Sequence, residues 1–289
     1  MPTPEEIREN QKKAWGASAG GCERSADWYR RNFAPAIDWL GRAVEATPGA
    51  RLLDVACGAG QPALSLAALV GPSGKVTGID LAPEMLAAAA RQARAANLAQ
   101  LELREMAAEQ LSFADASFDG VTCAFGLMLC PDPVRAVAEM RRVTVAGKRV
   151  AVVVWDELAN SPYLSTLFRS LAPFFPAAPP SDPKAPGTFR LGPPGELEGA
   201  LCAGGLAQVS VHTLALELEF ASFDEYWQVT LDQAAGLKAR IATLADSEQS
   251  RLRAVLGEAL GPFTRDGRVR IGASLRAGLG GAGAQCARQ

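Results

Sequence analysis

The apolar positions change their spacing along this chain, and each change predicts a different element. Over residues 24–46, Trp28, Ile37, Trp39, Leu40 and Val44 recur at helical intervals, with an interruption expected near Pro35. From Arg51 onward short apolar runs alternate with helical patterns. The predicted strands are Leu52–Ala56, Lys75–Ile79, Leu101–Arg104, Phe118–Ala124 and Lys148–Trp155. Between them, helices are predicted over Pro62–Val70, Pro83–Asn97 and from Pro133 to about Val143. Pro83 and Pro133 suit a first helical turn, where the missing N–H has no partner to lose, and Asp132 is a good N-cap. The runs LLDVA and RVAVVVW lack polar alternation, as strands covered on both faces do. Strands alternating with helices in this way predict an α/β fold with a doubly wound, mostly parallel sheet.

After Trp155 the pattern breaks. Residues 173–194 contain eight prolines, which predicts an irregular segment acting as a lid. A helix over Glu196–Ala203 ends at Gly204-Gly205, and a strand-like run Leu206–Phe220 follows. Residues 223–263 read as further helices, Arg268–Leu279 as a last strand, and Gly280–Gln289 as a frayed tail. Residues 1–23 show weak periodicity and are expected to form a mobile arm, whose loss should weaken acceptor turnover more than cofactor binding. The division expected is 1–47 N-terminal arm and helical cap, 48–156 α/β core, 157–195 Pro-rich lid, 196–222 sheet completion, 223–266 helical cap insertion, and 267–289 last strand and tail.

Composition narrows the function classes. With 289 residues, 48% hydrophobic and 21% charged, the chain has the make-up of a globular protein with a full core. A formal net charge of −2 and the absence of a basic tract argue against nucleic acid as partner; Arg30-Arg31 and Arg141-Arg142 read as solvated helix faces. No run of about 18 apolar residues predicts a membrane span. The polar N-terminal stretch has no signal-peptide core, and the six cysteines show no paired spacing, so a reducing, cytoplasmic setting is expected. One histidine, His212, cannot build a His-rich metal site, and no metal is expected. No heptad pattern supports a specific oligomer, although cap helices could pair.

The candidate chemistry lies at LLDVACGAG, residues 52–60, with Asp80 twenty residues beyond Gly60 at the end of KVTGID. A glycine turn leaving one strand and an acid closing the next are the parts that hold a nucleoside-bearing cofactor. GAGQPA, residues 58–63, also fits the GxGxxA turn of dinucleotide-binding proteins, so a nicotinamide-dependent oxidoreductase is one reading. Against it stand Asp54 inside the first strand, the long helical segment before that strand, and two further loops. One loop is AAEQLSFADASFDGV, and the other is FGLMLCPDP.

In this ordered set the sequence resembles the class I S-adenosylmethionine-dependent methyltransferases, most of all the small-molecule group that includes the ubiquinone- and menaquinone-biosynthesis enzymes. The resemblance covers residues 48–156 well and 189–206 more loosely. It implies a Rossmann-like, seven-stranded sheet with an antiparallel last strand, S-adenosylmethionine as cofactor, and methyl transfer to a small, apolar or aromatic acceptor. It places Asp54, Ala56, Gly58, Gly60 and Gln61 at the methionine end and Asp80 on the ribose hydroxyls. Leu81, Met85, Ala108 and Glu109 fall around adenine, and Phe125 and Gly126 near the sulfonium. Ala107 stands where relatives often carry an acid for the adenine amino group, which leaves that contact to Glu109 or backbone.

No catalytic residue is assigned. Relatives often carry histidines just before Pro-Asp-Pro; here Met128 and Leu129 stand there, and His212 falls on a distant strand. Catalysis mainly by proximity is expected, or a base from the cap such as Tyr163, Glu225 or Tyr226. Acceptor walls are expected from Trp15, Trp28, Met128, Trp155, Tyr163 and Trp227. A protein that binds the cofactor without methylating is the remaining alternative.

Overall fold

The computed structural model describes residues 2–175, 182, 184–234 and 236–283. The predicted alternation is present. Strands β1 (Arg51–Val55), β2 (Lys75–Asp80), β3 (Leu101–Glu105), β4 (Phe118–Ala124) and β5 (Thr144–Trp155) run parallel in one sheet. β6 (Ala207–Phe220), a two-residue β7 (Thr264–Arg265) and β8 (Arg268–Gly281) complete it. The order is β3-β2-β1-β4-β5-β8-β6, with β8 antiparallel to both β5 and β6, and β7 folded back onto β8. The strand order reverses between β1 and β4. That switch point opens a crevice at the carboxyl ends of the strands, where open α/β sheets bind ligands.

Each face of the sheet is covered because the central strands are apolar on both sides. Leu52, Val76, Ala151 and Val153 face one core, packed by α3 (Ala34–Ala43) and α4 (Ala63–Val70). Leu53, Val55, Val121 and Val152 face the other, packed by α6 (Pro133–Val143) and α8 (Glu196–Ala203). Next to β2, α5 spans Pro83–Ala95. Packed in the first of these cores, around the carboxyl end of β5 and the first half of β8, lie α7 (Pro162–Leu171), α9 (Phe223–Gln233), α10 (Leu237–Ile241) and α11 (Asp246–Leu260).

The N-terminal expectation is corrected. Residues 4–24 are not a loose arm but one helix, α1 (Pro4–Arg24), followed by α2 (Ala26–Asn32). A capping box starts α1: the Thr3 hydroxyl accepts from the Glu6 amide at 3.2 Å, and the Glu6 carboxylate accepts from the Thr3 amide at 2.7 Å. Small residues then let α1 lie close on its neighbours. A Cβ on Gly16 would stand 2.7 Å from Glu84, and one on Gly21 would stand 2.8 Å from the Asp232 backbone. Ion pairs fasten it as well: Arg91 to Glu23 at 2.6 Å, Arg24 to Asp232 at 2.6 Å, and Lys12 to Glu105.

The tail is shorter than expected, because β8 continues through Gly281, which pairs with Arg149 and Ala207. Residues 284–289 lie outside the described residues. Part of the expected lid is regular: α7 occupies 162–171, and the Arg190 guanidinium donates to the Cys130 carbonyl at 2.6 Å, tying 187–190 to the loop after β4. Residues 176–181 and 183 of that lid also lie outside the described residues.

Candidate active site

Three strand ends build the site. At the end of β1 the chain turns sharply, with positive φ at Ala56 (57°), Gly58 (52°) and Gly60 (119°). Ala56 accepts that strain where a glycine would not have it. A Cβ built on Gly58 meets nothing within 4 Å, so the turn opens onto free space. At the end of β2, Asp80 braces this turn: Oδ2 accepts from the Gly58 amide and Oδ1 from the Ala82 amide, each at 2.9 Å. A carboxylate has about four acceptor positions, so these bonds leave capacity for two ligand hydroxyls. Burial raises the Asp80 carboxyl above its ordinary value, with the Ala82, Gly58 and Leu81 amides opposing. At the end of β4, Phe125 takes φ 58° and Gly126 follows. A Cβ on Gly126 would stand 2.4 Å from that of Ala56, so the two strand ends meet with no room for a side chain.

Asp54 lies fully buried one strand residue before this turn. Its Oδ1 accepts from the Thr122 hydroxyl of β4 at 2.7 Å, while Oδ2 is buried without a hydrogen-bond partner among the described residues. Burial pushes its carboxyl up to about 7; the Thr122 hydroxyl and the Ala63 amide pull it down, and Asp80 adds a small rise. An orphaned buried acceptor calls for a donor from a ligand.

Of the residues expected around adenine, Leu81 and Glu109 line a cleft of about 470 Å³ together with Ala107 and Arg135, closed on one side by Arg8 and Lys12 of α1. Glu109 is buried, its Oε1 has no hydrogen-bond partner among the described residues, and the Arg8 guanidinium forms a long ion pair with it at 3.6 Å. Ala108 turns instead into the core beside Leu111. Met85 is buried under α1 with Ala19 and Cys22, and Gln61 accepts from the Ser65 hydroxyl at 2.8 Å.

The chain is read most directly where the family model for "Methyltransferase domain" matches it, over residues 52–147, from β1 into β5. That span contains the turn, Asp80 and the β4 end just described. This segment resembles a class I S-adenosylmethionine-dependent methyltransferase domain. The same region is 40% identical over 109 residues to a demethylmenaquinone methyltransferase of Bacillus cytotoxicus, which covers 38% of this chain and 46% of the relative. The chain thus aligns with less than half the length of the curated relatives it matches. The YcgJ protein of Bacillus subtilis shares the fold with TM-score 0.55 at 20% identity, over 86% of this chain and 98% of that one. A phosphoethanolamine N-methyltransferase 2 of Haemonchus contortus, solved with phosphomonomethylethanolamine and S-adenosylhomocysteine, has TM-score 0.56 at 13% identity, over 98% and 61%. The cofactor of this domain family is S-adenosylmethionine, and the residues present fit it: an open glycine turn, a buried acceptor lacking a donor, and a carboxylate with spare acceptor capacity.

The methyltransferase domain continues into an aromatic cluster. Phe33 of the α2–α3 junction meets Phe125 edge-on at 5.5 Å and Trp155 at 5.9 Å; Phe125 and Trp155 lie 5.2 Å apart. Trp155 leads to Tyr163 (6.2 Å), then to Phe220 and Tyr226 (6.0 and 5.7 Å), and Trp28 stacks on Phe220 at 4.8 Å. Of the expected acceptor walls, Trp28, Trp155 and Tyr163 therefore come together. Three others stand elsewhere. Trp15 packs beside Ala59 at the glycine turn, Met128 is buried in the opposite core, and Trp227 lies under Arg253 at 5.1 Å. Phe33 and Phe220 were not singled out from the sequence. The spacing of Tyr29 and Phe33, one helical turn apart, was the available signal.

Among the cap acids and phenols, Glu225 caps α9 by accepting from the Ala221 amide. Burial raises both Tyr163 and Tyr226, and their hydroxyls point to Thr230 and to the Tyr163 carbonyl. His212 is exposed on the edge strand against Trp39, 5.1 Å between ring centres. Among the described residues no helix is long and apolar enough to cross a membrane.

Proposed function

We propose that this protein transfers the methyl group of S-adenosylmethionine to a small, apolar or aromatic acceptor. The observation that carries the acceptor class is the direct contact between the β4 end of the cofactor crevice and the aromatic cluster, through Phe33, Phe125 and Trp155. When bound, the cofactor supplies an activated methyl on a sulfonium. The chain supplies position and exclusion of water. Asp80 accepts the ribose hydroxyls while bracing the Gly58 amide, and Asp54 faces the ammonium with its unpartnered oxygen. Ala56, Gly58, Gly60 and Gln61 shape the path of the methionine end. Leu81, Ala107 and Glu109 line the cleft for adenine, with Met85 and Ala108 as its packed support. Phe125 and Gly126 border the reacting centre, and Trp155 and Tyr163 give the acceptor a flat apolar wall.

Among the described residues this aromatic cluster contains no carboxylate or imidazole, and burial raises its two phenols, Tyr163 and Tyr226, above their ordinary value. This supports catalysis mainly by proximity, on an acceptor that reaches the site ready to react. The similarity to demethylmenaquinone methyltransferases supports an aromatic ring as the acceptor. Calorimetric titration of S-adenosylhomocysteine into wild type and Asp80→Ala is the first test. Micromolar binding that is lost in the variant supports the reading, and wild type that binds no S-adenosylhomocysteine overturns it. Methyl transfer to a panel of phenols and hydroquinones then tests the acceptor class.

A further inference from the structure

α1 is fastened firmly at one end only. From Gly21 onward it is held hard. A Cβ on Gly21 would stand 2.8 Å from the Asp232 backbone, the Cys22 thiol donates to the Asp232 carbonyl at 3.4 Å, and Arg24 pairs with the Asp232 carboxylate at 2.6 Å. Arg91 grips Glu23 through two bonds, at 2.8 and 2.6 Å, and the Gln233 amide donates to the Ser25 hydroxyl at 2.7 Å. α2 then anchors the chain at the sheet edge. There the Trp28 indole N–H donates to the Glu219 carbonyl at 2.8 Å, and the Asn32 side-chain oxygen accepts from the Glu219 amide at 2.7 Å.

The other end is held lightly. Among residues 4–18 none is buried. Their attachments are the Lys12–Glu105 ion pair, the long Arg8–Glu109 pair at 3.6 Å, the approach of Gly16 to Glu84, and Trp15 beside Ala59. Exposed ion pairs add little stability, and a segment with few buried apolar contacts opens locally well before the whole chain unfolds. Yet this end covers the cofactor crevice. Pro4, Arg8 and Lys12 line its cleft, and Trp15 and Ala19 lie on Ala59 and Ala82, in the turns after β1 and β2.

Between the two ends stands Gly20. It is exposed, and a Cβ there would meet only Arg24, at 3.8 Å. Packing does not require a glycine at this position, whereas glycine weakens a helix more than any residue but proline. Two residues earlier the Ser18 hydroxyl bonds back to the Ala14 carbonyl at 3.1 Å, a contact that bends helices. This weak point lies where the fixed end meets the light one.

We propose that residues 4–19 form a door over the cofactor crevice, hinged at Gly20, and that the cofactor enters and leaves only when the door swings open. The proposal rests on the S-adenosylmethionine reading. The spent cofactor has to leave in every cycle, so the door sets a ceiling on turnover. A ligand that binds only the open form enters and leaves through the same step. Stabilising the closed form equally, with the cleft empty or filled, slows both rates by one factor and leaves affinity in place. A residue that merely touches the ligand changes release and affinity together.

The test is stopped-flow binding of S-adenosylhomocysteine to wild type, Gly20→Ala and Lys12→Gln, read by tryptophan fluorescence, with Trp15 beside the glycine turn as reporter. Gly20→Ala stiffens the hinge and should slow entry and release alike by about fivefold, with Kd within about twofold of wild type. Lys12→Gln loosens the light end and should speed both by about twofold to fivefold. Unchanged rates in Gly20→Ala overturn the proposal. Slower release alone, with tighter Kd, also overturns it, because α1 would then only touch the bound ligand. Hydrogen exchange on the ligand-free protein adds a reading that needs no ligand. Amides of residues 8–19 should exchange faster than those of β1, and more slowly in Gly20→Ala than in wild type; exchange as slow as that of β1 overturns the hinge. Wild type that binds no S-adenosylhomocysteine strikes the cofactor reading, and hydrogen exchange still decides the hinge.

Discussion

Cofactor affinity should depend on pH through Asp54, and the size follows from its burial. In the ligand-free protein the carboxyl titrates at about 7 because it is wholly buried, with the Thr122 hydroxyl and the Ala63 amide only partly offsetting the desolvation. A neutral carboxyl gives a ligand ammonium little to pair with, so binding to the ammonium must expel the proton. From a midpoint near 7, about one tenth of the protein is ionised at pH 6 and about three quarters at pH 7.5. Affinity for S-adenosylhomocysteine should therefore rise about eightfold over that interval. At pH 6 binding should release close to one proton, read by calorimetry in buffers of different ionisation enthalpy. Asp54→Asn should bind weakly with no such slope, and the ligand's own titration, common to both proteins, cancels in the comparison. Thr122→Val removes a bond that favours the carboxylate and should move the midpoint upward. Identical pH slopes in wild type and Asp54→Asn would refute the reasoning. The same displacement has a stability counterpart. The folded value lies above the ordinary 3.8, so the folded chain holds this proton more tightly than the unfolded one. The contribution is fully present below pH about 4 and is lost as pH rises through about 7. The melting temperature of Asp54→Asn should gain on wild type across that window.

Asp80→Ala should weaken S-adenosylhomocysteine by about a hundredfold or more, since two hydrogen bonds to a charged group are lost and the Gly58 turn loses its brace; calorimetry reads it. Gly126→Ala forces a methyl to within 2.4 Å of Ala56 and should cost about 1–3 kcal/mol, seen as a lowered midpoint in urea unfolding. Deleting residues 1–23 should reduce cofactor affinity at least as much as acceptor turnover, because α1 lies on Ala59, Met85 and Glu109; intact S-adenosylhomocysteine binding in the truncated protein would contradict this. Phe33→Leu removes the ring joining Phe125 to Trp155 and should raise the acceptor KM while leaving S-adenosylhomocysteine affinity within about twofold.

The parts of this protein that were legible in its sequence are those whose physics is local. The central strands β1 and β5 show as apolar runs, LLDVA and RVAVVVW, and the glycine turn and Asp80 show as residue types that their backbone geometry demands. The order in which β6 and β8 join the sheet was partly visible, through the antiparallel last strand. α1 escaped because it is held by a different means. Its contacts use small residues at close approach, with Gly16 against Glu84 and Gly21 against Asp232, and neither raises the apolar periodicity by which helices are recognised. Its start was nevertheless written in Thr3-Pro4-Glu5-Glu6, a capping box with proline in the first turn. The acceptor wall was legible only in part, for a related reason. Trp28, Trp155 and Tyr163 were reached as aromatics in irregular surroundings, a criterion that selects Trp15 and Trp227 equally. What separates them is tertiary: Trp28 is fixed by the Glu219 carbonyl, and Trp155 by its place at the end of β5 beside Phe125. The Glu219 backbone decides more than one position: it holds Trp28 and Asn32 at the sheet edge, and the next residue, Phe33, reaches Phe125 and Trp155.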